Sequence, residues 1–583
     1  MNPGIYRESS SRAAGGRNIM DKYLSRRSFL TTASIMGATA ALGAGLTACS
    51  PGKSTGGDSS SSSSKNDDYT VSNTAQADIV VVGAGGAGCS AAVRAAQLGL
   101  HVALIEITGV IGGTTICTEG MTTIHSHFHK ADPSIDIPTN QLVHKIMDYH
   151  HWLPNGHIIT QMLVQSASNL DWLESIGHQF TAPQTMCGNT YHTWTMYAHP
   201  AGTLSGSQYV QHWSDLCTQT YADHITMYFN NEAFKTTLDG NGTVASVVIR
   251  DVNSKSCTEI STKAVVYACG GYADNGQLFQ EFVGFGQGEY QSDGLGHRSG
   301  DGILMGRDNN AKLCRYPGAA MWYGGCLPGL VYGGELYCAT AFQPLFWVNE
   351  NAERFIDEEY AERNFSFSGN GQSAQKRVVS ILTKAQMDSF VTKGCIYGCG
   401  AYILDGTKLD GSATGSSMWD EYNAQVKAGN NYMWTAATIA ELAQKANLDA
   451  TKLAASIKAY DGYCATGVDE EFSKPAEFLL PLNDADGPYY AFELQPGVFT
   501  TVGGLLVNDC IQVVDQNDQP IVGMYAAGCD AGGLEGDSYD VSICEGSKQC
   551  WCAYSGKLAA EHVASTLFGT AVKDQYANPV TWK

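Results

Sequence analysis

Basic residues are scarce in this chain. Its 583 residues include 35 Lys and Arg against 57 Asp and Glu, a formal net charge of −22. A surface this acidic repels phosphate backbones and anionic lipid, which excludes nucleic acid as a direct partner. It leaves room for a basic redox partner. Long uncharged apolar runs are missing beyond the first fifty residues, so no later segment reads as a membrane span. No C-x-x-C-H occurs, which excludes a c-type haem site. Cysteine, by contrast, is plentiful at 18 residues. Cys395-x-x-x-Cys399 and Cys544…Cys550-x-Cys552 are its only clusters, and neither has a zinc or ferredoxin spacing. Most of these thiols are expected to be small buried apolar groups. An iron–sulfur cluster assembled from distant cysteines stays open, as do disulfides.

The stretch Ala77–Glu106, ADIVVVGAGGAGCSAAVRAAQLGLHVALIE, carries the strongest signal. Ile79–Val82 is a short β-branched run, as suits a strand covered on both faces. Gly83, Gly85 and Gly88 then fit G-x-G-x-x-G, with Gly86 and Ala87 between them. The first glycine permits the tight turn, the second admits a diphosphate to the backbone, and the third lets helix and strand pack closely. Amides at the helix start attract that diphosphate. Glu106 closes the second strand, where a carboxylate accepts hydrogen bonds from ribose hydroxyls. The frame predicts a dinucleotide site.

The first residues read as an address. Ser25-Arg26-Arg27-Ser28-Phe29-Leu30 is a twin-arginine export motif. The Ala- and Gly-rich run that follows, to Thr47, is too weakly apolar for a span. Leu46-Thr47-Ala48-Cys49 reads as a lipobox with Cys49 lipidated, and a Ser/Gly tether follows. Export in a folded state suits an enzyme that loads a nucleotide cofactor first. One lipid chain anchors weakly, so firm attachment needs several. The expected location is the outer face of the cytoplasmic membrane.

Several later segments extend the dinucleotide reading. Gly112-Gly113-Thr114-Thr115, continuing to Gly120 and Met121, is a loop of small residues able to wrap a diphosphate. Ala264–Cys269 is a second buried strand, and Gly300-Asp301-Gly302 precedes a helix. Pro520–Asp530 reads as a turn and strand ending at Gly528 and Asp530. A helix over Glu545–Ala560, including Ser547, aims its first amides at the place where reduced flavin carries charge.

GAGGAG, the Gly112–Thr115 loop, ACGGY, SGDG, NENAERFIDEE, TTVGG and GMYAAGCDAGG occur in that order. Together they resemble the fumarate reductase and succinate dehydrogenase flavoprotein family, which includes ketosteroid dehydrogenases. The tail is similar to exported flavin reductases of anaerobic gut bacteria, a group with the cardiac glycoside reductases. The resemblance implies an α/β fold: a Rossmann-like FAD-binding domain in two sequence pieces, with an inserted α+β capping domain. The expected limits are 1–49 signal, 50–74 tether, 75–311 FAD domain, 312–479 cap, 480–570 FAD domain and 571–583 tail. It implies FAD contacts at Glu106, Thr114, Thr115, Gly120, Asp301 and the Gly528–Asp530 turn. Thr114 stands where membrane-bound relatives attach FAD through histidine, so the FAD is expected to be non-covalent.

In fumarate reductases an arginine beside the cap donates the proton that completes alkene reduction. Arg363 matches that place, after a one-residue insertion, with Glu359 or Glu362 as the start of a relay. A guanidinium is a weak acid and needs such a relay. Arg354 is expected to be structural. The family's dicarboxylate clamp is broken: no Arg or Lys lies between Gly528 and Ser547, where Asp537-Ser538-Tyr539-Asp540 replaces its arginine. Tyr or Phe cannot supply bidentate carboxylate recognition, so fumarate is not the expected substrate. Tyr539 matches a ketosteroid dehydrogenase tyrosine and would polarise a carbonyl. Met321, Trp322, Tyr323, Tyr332, Tyr337, Phe342, Phe346 and Trp347 suit a broad apolar or aromatic substrate, and most of them fit equally well as core. His125, His127 and His129 are read as a polar wall, and no metal is expected.

The resulting expectation is an exported FAD-dependent reductase of an activated C=C bond in a small organic acceptor, working in anaerobic respiration. Electrons would come from a membrane-anchored cytochrome or quinol-linked donor, since the chain carries no second flavin domain or NAD(P) repeat. A dehydrogenase working in the oxidising direction and a non-catalytic FAD-binding lipoprotein are the alternatives.

Overall fold

The computed structural model describes residues 69–572, except 186–189, 200–204, 287, 293–296, 317–319, 329, 331–332, 400–402 and 484–486, and except the side chains of 320–324, 326 and 362. The twin-arginine motif, Cys49 and residues 50–68 of the expected tether lie outside the described residues, and its end enters the strand Val71–Gln76.

A six-stranded sheet organises the nucleotide-binding region. Its order is Gln512–Val514, Pro520–Ala526, Ala264–Tyr267, Ile79–Val82, Val102–Glu106 and Ile225–Phe229. All pairs are parallel except the first. Ile79–Val82, Val102–Glu106 and Ala264–Tyr267 are buried throughout, as β-branched strands covered on both faces must be. The helix Gly86–Gln97 follows the first of these, and the C-terminal helix Ser547–Phe568 packs along it. Their approach is close: a Cβ on Gly556 would lie 2.2 Å from the Ala87 carbonyl oxygen. Ser90 donates from its hydroxyl to the Ala553 carbonyl, and Arg94 pairs with Glu561 at 2.8 Å. A four-stranded sheet (71–76, 257–261, 244–251, 231–238) and a three-stranded one (120–122, 194–197, 180–184) flank this layer.

The cap is built on a second sheet. Its path is Gln291–Ser292, Tyr489–Thr501, Val378–Thr383 and Phe346–Asn349, and Ala320–Cys326 and Met433–Ala436 also pair with Tyr489–Thr501. This sheet reaches past the expected 312–479 limits on both sides. The reason is physical. Tyr489–Thr501 is a 13-residue strand that serves as the cap's central partner, and it leads directly into the T-T-V-G-G turn of the FAD domain. One continuous strand therefore belongs to both regions, and composition marks no boundary within it.

Of the cap aromatics, Tyr337, Phe342 and Trp347 lie in one buried apolar cluster and Phe346 in another. They are core. The side chains of Met321, Trp322 and Tyr323, and all of Tyr332, lie outside the described set.

Arg354 is structural. Its guanidinium meets Glu358 at 2.9 and 2.8 Å and Asp469 at 2.9 and 3.0 Å, all with almost no exposure. Lys474 adds a 3.2 Å contact to Glu358. Burial works against the charge on Asp469, yet Arg354 holds its carboxyl down to about 2. Removing one member leaves buried charge without compensation, which costs about 3–5 kcal/mol. Arg354→Met is expected to lose stability in that range on chemical denaturation. A loss below about 1 kcal/mol would show that the network holds nothing together.

Candidate active site

The carboxyl ends of the parallel strands form one crevice, the usual ligand position of such sheets. At its floor, Gly83 has φ +99° and Gly88 packs so tightly that a Cβ would fall 1.8 Å from the Gly83 carbonyl oxygen. No other residue fits either position without moving the backbone. The helix then starts at Gly86, after Gly85, and Ala87 is buried in its first turn. Glu106 is buried beside the turn. It accepts from the Ala84 amide at 2.9 Å and from the Thr108 amide and hydroxyl at 2.9 and 2.7 Å.

The next loop seats against this turn. Gly112 donates to the Ala84 carbonyl at 2.9 Å and bridges Gly85, and Gly113 starts a short 3-10 turn containing Thr114 and Thr115. The Gly86 amide donates to the Thr115 hydroxyl at 2.9 Å, whereas Thr114 is half-buried. Gly120 and Met121 open a strand whose backbone abuts Gly546: the Thr122 amide donates to the Gly546 carbonyl at 3.1 Å. Ser547, the first residue of the C-terminal helix, therefore sits beside Met121.

The far end is organised by Asp530. It is fully buried, accepts from the Gly271 amide at 3.1 Å and from the Cys269 amide, and burial raises its carboxyl to about 7. Asp301 starts the adjacent helix, and a Cβ on Gly302 would lie 2.9 Å from Asp530. Gly528 donates to the Ser555 hydroxyl at 3.0 Å. Glycine turn, threonine loop, Glu106, helix start and Asp530 thus share one recess. Its close backbone approaches, its carboxylate acceptors and the unpartnered Ser547 hydroxyl suit an extended dinucleotide such as FAD.

Residues of the cap also pack against the loop 533–546 around Tyr539. Tyr539 is buried with Val502 and Val541 of the FAD domain, and Phe365 of the cap packs against them. Asn364 donates to the Tyr149 and Ser542 hydroxyls at 3.1 and 3.2 Å, and Asn370 donates to Ser538 at 2.7 Å. Tyr149 donates to the Tyr539 carbonyl at 3.0 Å and stacks on Phe367 with ring centroids 5.2 Å apart. Burial, and after it the charges of Glu535 and Asp540, pushes the Tyr539 phenol well up. Asp540 accepts from the Ser542 and Ile543 amides at 3.0 and 2.8 Å, and burial raises it to about 7.

Arg363 precedes Asn364 but is not enclosed with it. Its side chain is 44% exposed, pairs with Glu359 at 3.1 Å and Asp357 at 3.7 Å, and lies over the Tyr360 ring. The side chain of Glu362 lies outside the described set. Burial raises the carboxyls of Glu359 and Asp357. Among the three expected polar-wall histidines, His125 meets Asp136, His127 meets Glu174, and His129 meets Ser126 and the His192 carbonyl. They serve separate partners. The described cysteines are free thiols, most of them buried.

Sequence reasoning missed Tyr149, Asn364, Asn370 and the buried pair Glu535–Lys548, which meets at 2.9 Å. Lys548 did leave a signal: it is the single basic residue between Gly528 and Gly556. Tyr149 left none, because helix 139–149 reaches Tyr539 only through tertiary packing.

A glycine turn, a threonine loop and a buried acid of this kind suit a flavin-dependent oxidoreductase. Residues 78–538 match the FAD binding domain family model, and the chain belongs to that family. It is 32% identical over 493 residues to the vinyl phenol reductase of Lactiplantibacillus plantarum, spanning 84% of this chain and 96% of that protein. It is 25% identical over 553 residues to the urocanate reductase of Eggerthella lenta, spanning 91% and 83%. A solved flavocytochrome c3 fumarate reductase in its open conformation superposes with a TM-score of 0.62 at 20% identity, covering 85% of this chain and 79% of that one. The α/β fold, the FAD cofactor and the oxidoreductase class expected from the sequence all hold.

Asp540 sets a pH dependence. Its folded-state value of about 7 stands above the ordinary 3.8, so the native state keeps a proton that the unfolded chain releases. Stability from this group is full at pH below about 4 and is lost as pH rises to about 7. The melting temperature of the wild type is expected to fall between pH 5 and 8 by more than that of Asp540→Asn. Parallel pH curves for the two proteins would refute the assignment.

Proposed function

We propose that this enzyme reduces the C=C bond of a neutral aryl alkene, a vinylphenol or a similarly activated aromatic, using FAD. The observation that carries the reading is the packing around Tyr539. Val502, Val541 and Phe365 pack against Tyr539, Asn and Ser hydrogen-bonding groups lie around it, and no basic residue occurs between Gly528 and Ser547. The neighbouring acids Glu535 and Asp540 disfavour a carboxylate substrate. The 32% identity to a vinyl phenol reductase over most of both chains supports the same class.

Bound FAD supplies the hydride equivalent to one alkene carbon. The protein must deliver a proton to the other and hold the polar end of the substrate. Arg363, paired with Glu359 on the solvent side, is the proposed proton donor. Tyr539 keeps its proton and would donate a hydrogen bond to the substrate oxygen. In a vinylphenol that oxygen gathers charge when the terminal carbon takes a proton, the phenol gives up its own, and hydride then adds at the benzylic carbon to leave a phenolate. Phe365 and Asn364 come from the cap, so closing the cap completes the surroundings of Tyr539.

The wider setting is proposed from sequence. The twin-arginine motif and Cys49 support export and lipid attachment at the outer face of the cytoplasmic membrane. A membrane-anchored cytochrome or quinol-linked donor would then supply electrons.

The test is an anaerobic assay of FAD-loaded protein with reduced viologen. 4-Vinylphenol is expected to reoxidise the dye at least tenfold faster than fumarate, and the reverse order would overturn the substrate reading. Arg363→Ala is expected to retain FAD and lose about 100-fold or more in turnover, the ordinary contribution of a general acid. Tyr539→Phe is expected to slow phenolic substrates more than alkenes without a hydroxyl. Full rates in both variants would remove these residues from the mechanism.

A further inference from the structure

The pair Glu535–Lys548 has no structural reason to be ionic. Its side chains are 2% and 9% exposed and meet at 2.9 Å. Beyond that contact, neither Glu535 oxygen nor the Lys548 ammonium has a hydrogen-bond partner among the described residues. A lysine carries three donors and a carboxylate about four acceptor sites, so most of their capacity is unused. Burying two ions costs several kcal/mol each, and an apolar pair of the same volume would pack without that cost. The contrast with Arg354 is plain. There the guanidinium and both acids are bonded repeatedly and the network closes on itself.

Location supplies the reason. Lys548 is the second residue of the C-terminal helix, next to Ser547, whose hydroxyl is also buried and unpartnered. Gly546 before it abuts Met121, at the end of the threonine loop. The charge of Lys548 is felt at Cys529, in the Gly528–Asp530 turn, and at Cys314, whose sulfur accepts from the Gly504 amide at 3.4 Å. The start of this helix therefore adjoins the end of the threonine loop, and the ammonium lies within electrostatic reach of the Gly528–Asp530 turn and of Cys314 beside Gly504. Burial opposes its charge, but Glu535 more than compensates and keeps it protonated.

We propose that Lys548 is the group that stabilises the negative charge FAD acquires on reduction, and that Glu535 is the positioning residue that holds and tempers it. Two electrons from the cytochrome or quinol-linked donor and one proton from solvent leave the reduced flavin with a single negative charge, which a fixed ammonium beside a helix N-terminus favours. Glu535 cancels part of that field in the oxidised state, so FAD is not bound only in its reduced form. The inference rests on FAD occupancy and is independent of the substrate reading.

The test uses purified holoprotein at pH 6.5, with FAD content verified by absorbance before and after heat release. Two readouts follow: the midpoint potential of the bound flavin by dye equilibration, and the Kd for sulfite, which adds to flavin to give an anionic adduct. Lys548→Met is expected to lower the potential and raise the sulfite Kd at least tenfold. Glu535→Gln is expected to do the opposite, raising the potential and tightening sulfite. Lys548→Arg is expected to restore sulfite affinity toward the wild type. A salt bridge of structural value only would move both neutralising variants in the same direction. That outcome, or unchanged potentials at full FAD content, overturns the proposal. Should Lys548→Met not retain FAD, the sign of the shift in Glu535→Gln decides alone.

Discussion

The structure depends on a close approach between two helices from opposite ends of the described chain. Helix 86–97 carries the glycine turn, and helix 547–568 lies against it with Gly556 under Ala87. Larger residues at either contact would lift the C-terminal helix away from the turn, and its first residues would no longer reach Met121 and the threonine loop. The recess is thus assembled from segments more than 400 residues apart in sequence. Everything between them, including the cap, is threaded into a site whose walls are fixed by that single packing contact.

Much of this was legible because its causes are local. A buried β-branched run, three glycines at fixed spacing and a terminal acid have one economical geometry, and Ile79–Glu106 adopts it. The threonine loop and the Gly528–Asp530 turn were legible for the same reason: small residues mark where backbone must come close. The cap was harder. Tyr489–Thr501 pairs with strands on both sides and then enters the FAD domain, so no change of composition marks its limit. The aromatic roll of the cap left both readings open because aromatic content cannot separate core from cavity; Tyr337, Phe342, Phe346 and Trp347 fill the core. Tyr149 and Asn364 were invisible because their partners lie 215 residues apart.

Charge sets the character of the surroundings of Tyr539. The chain is strongly acidic, yet the two buried basic groups nearest the recess are each matched to an acid: Arg298 to Asp274 at 2.8 Å and Lys548 to Glu535 at 2.9 Å. Each matched acid offsets part of its cation's field and so weakens its pull on a substrate carboxylate. Arg363, next to Asn364 in the chain, is half-exposed and faces Glu359 and Asp357. Among the described residues, the side chains packed on Tyr539 are the uncharged Phe365, Val502 and Val541.

The same electrostatics settles what Tyr539 can do. A phenol becomes a base only when its anion is stabilised, and every neighbour here opposes that: burial first, then Glu535 and Asp540. Tyr539 consequently remains a donor throughout the working pH range. Such a donor stabilises charge that appears on a substrate oxygen only in passing. It contributes little to a ground-state alkene and most to a transition state in which electrons are shifting onto that oxygen. Among the described residues the surroundings of Tyr539 offer acids and neutral donors, and its phenol donates most strongly when charge gathers on the atom it meets.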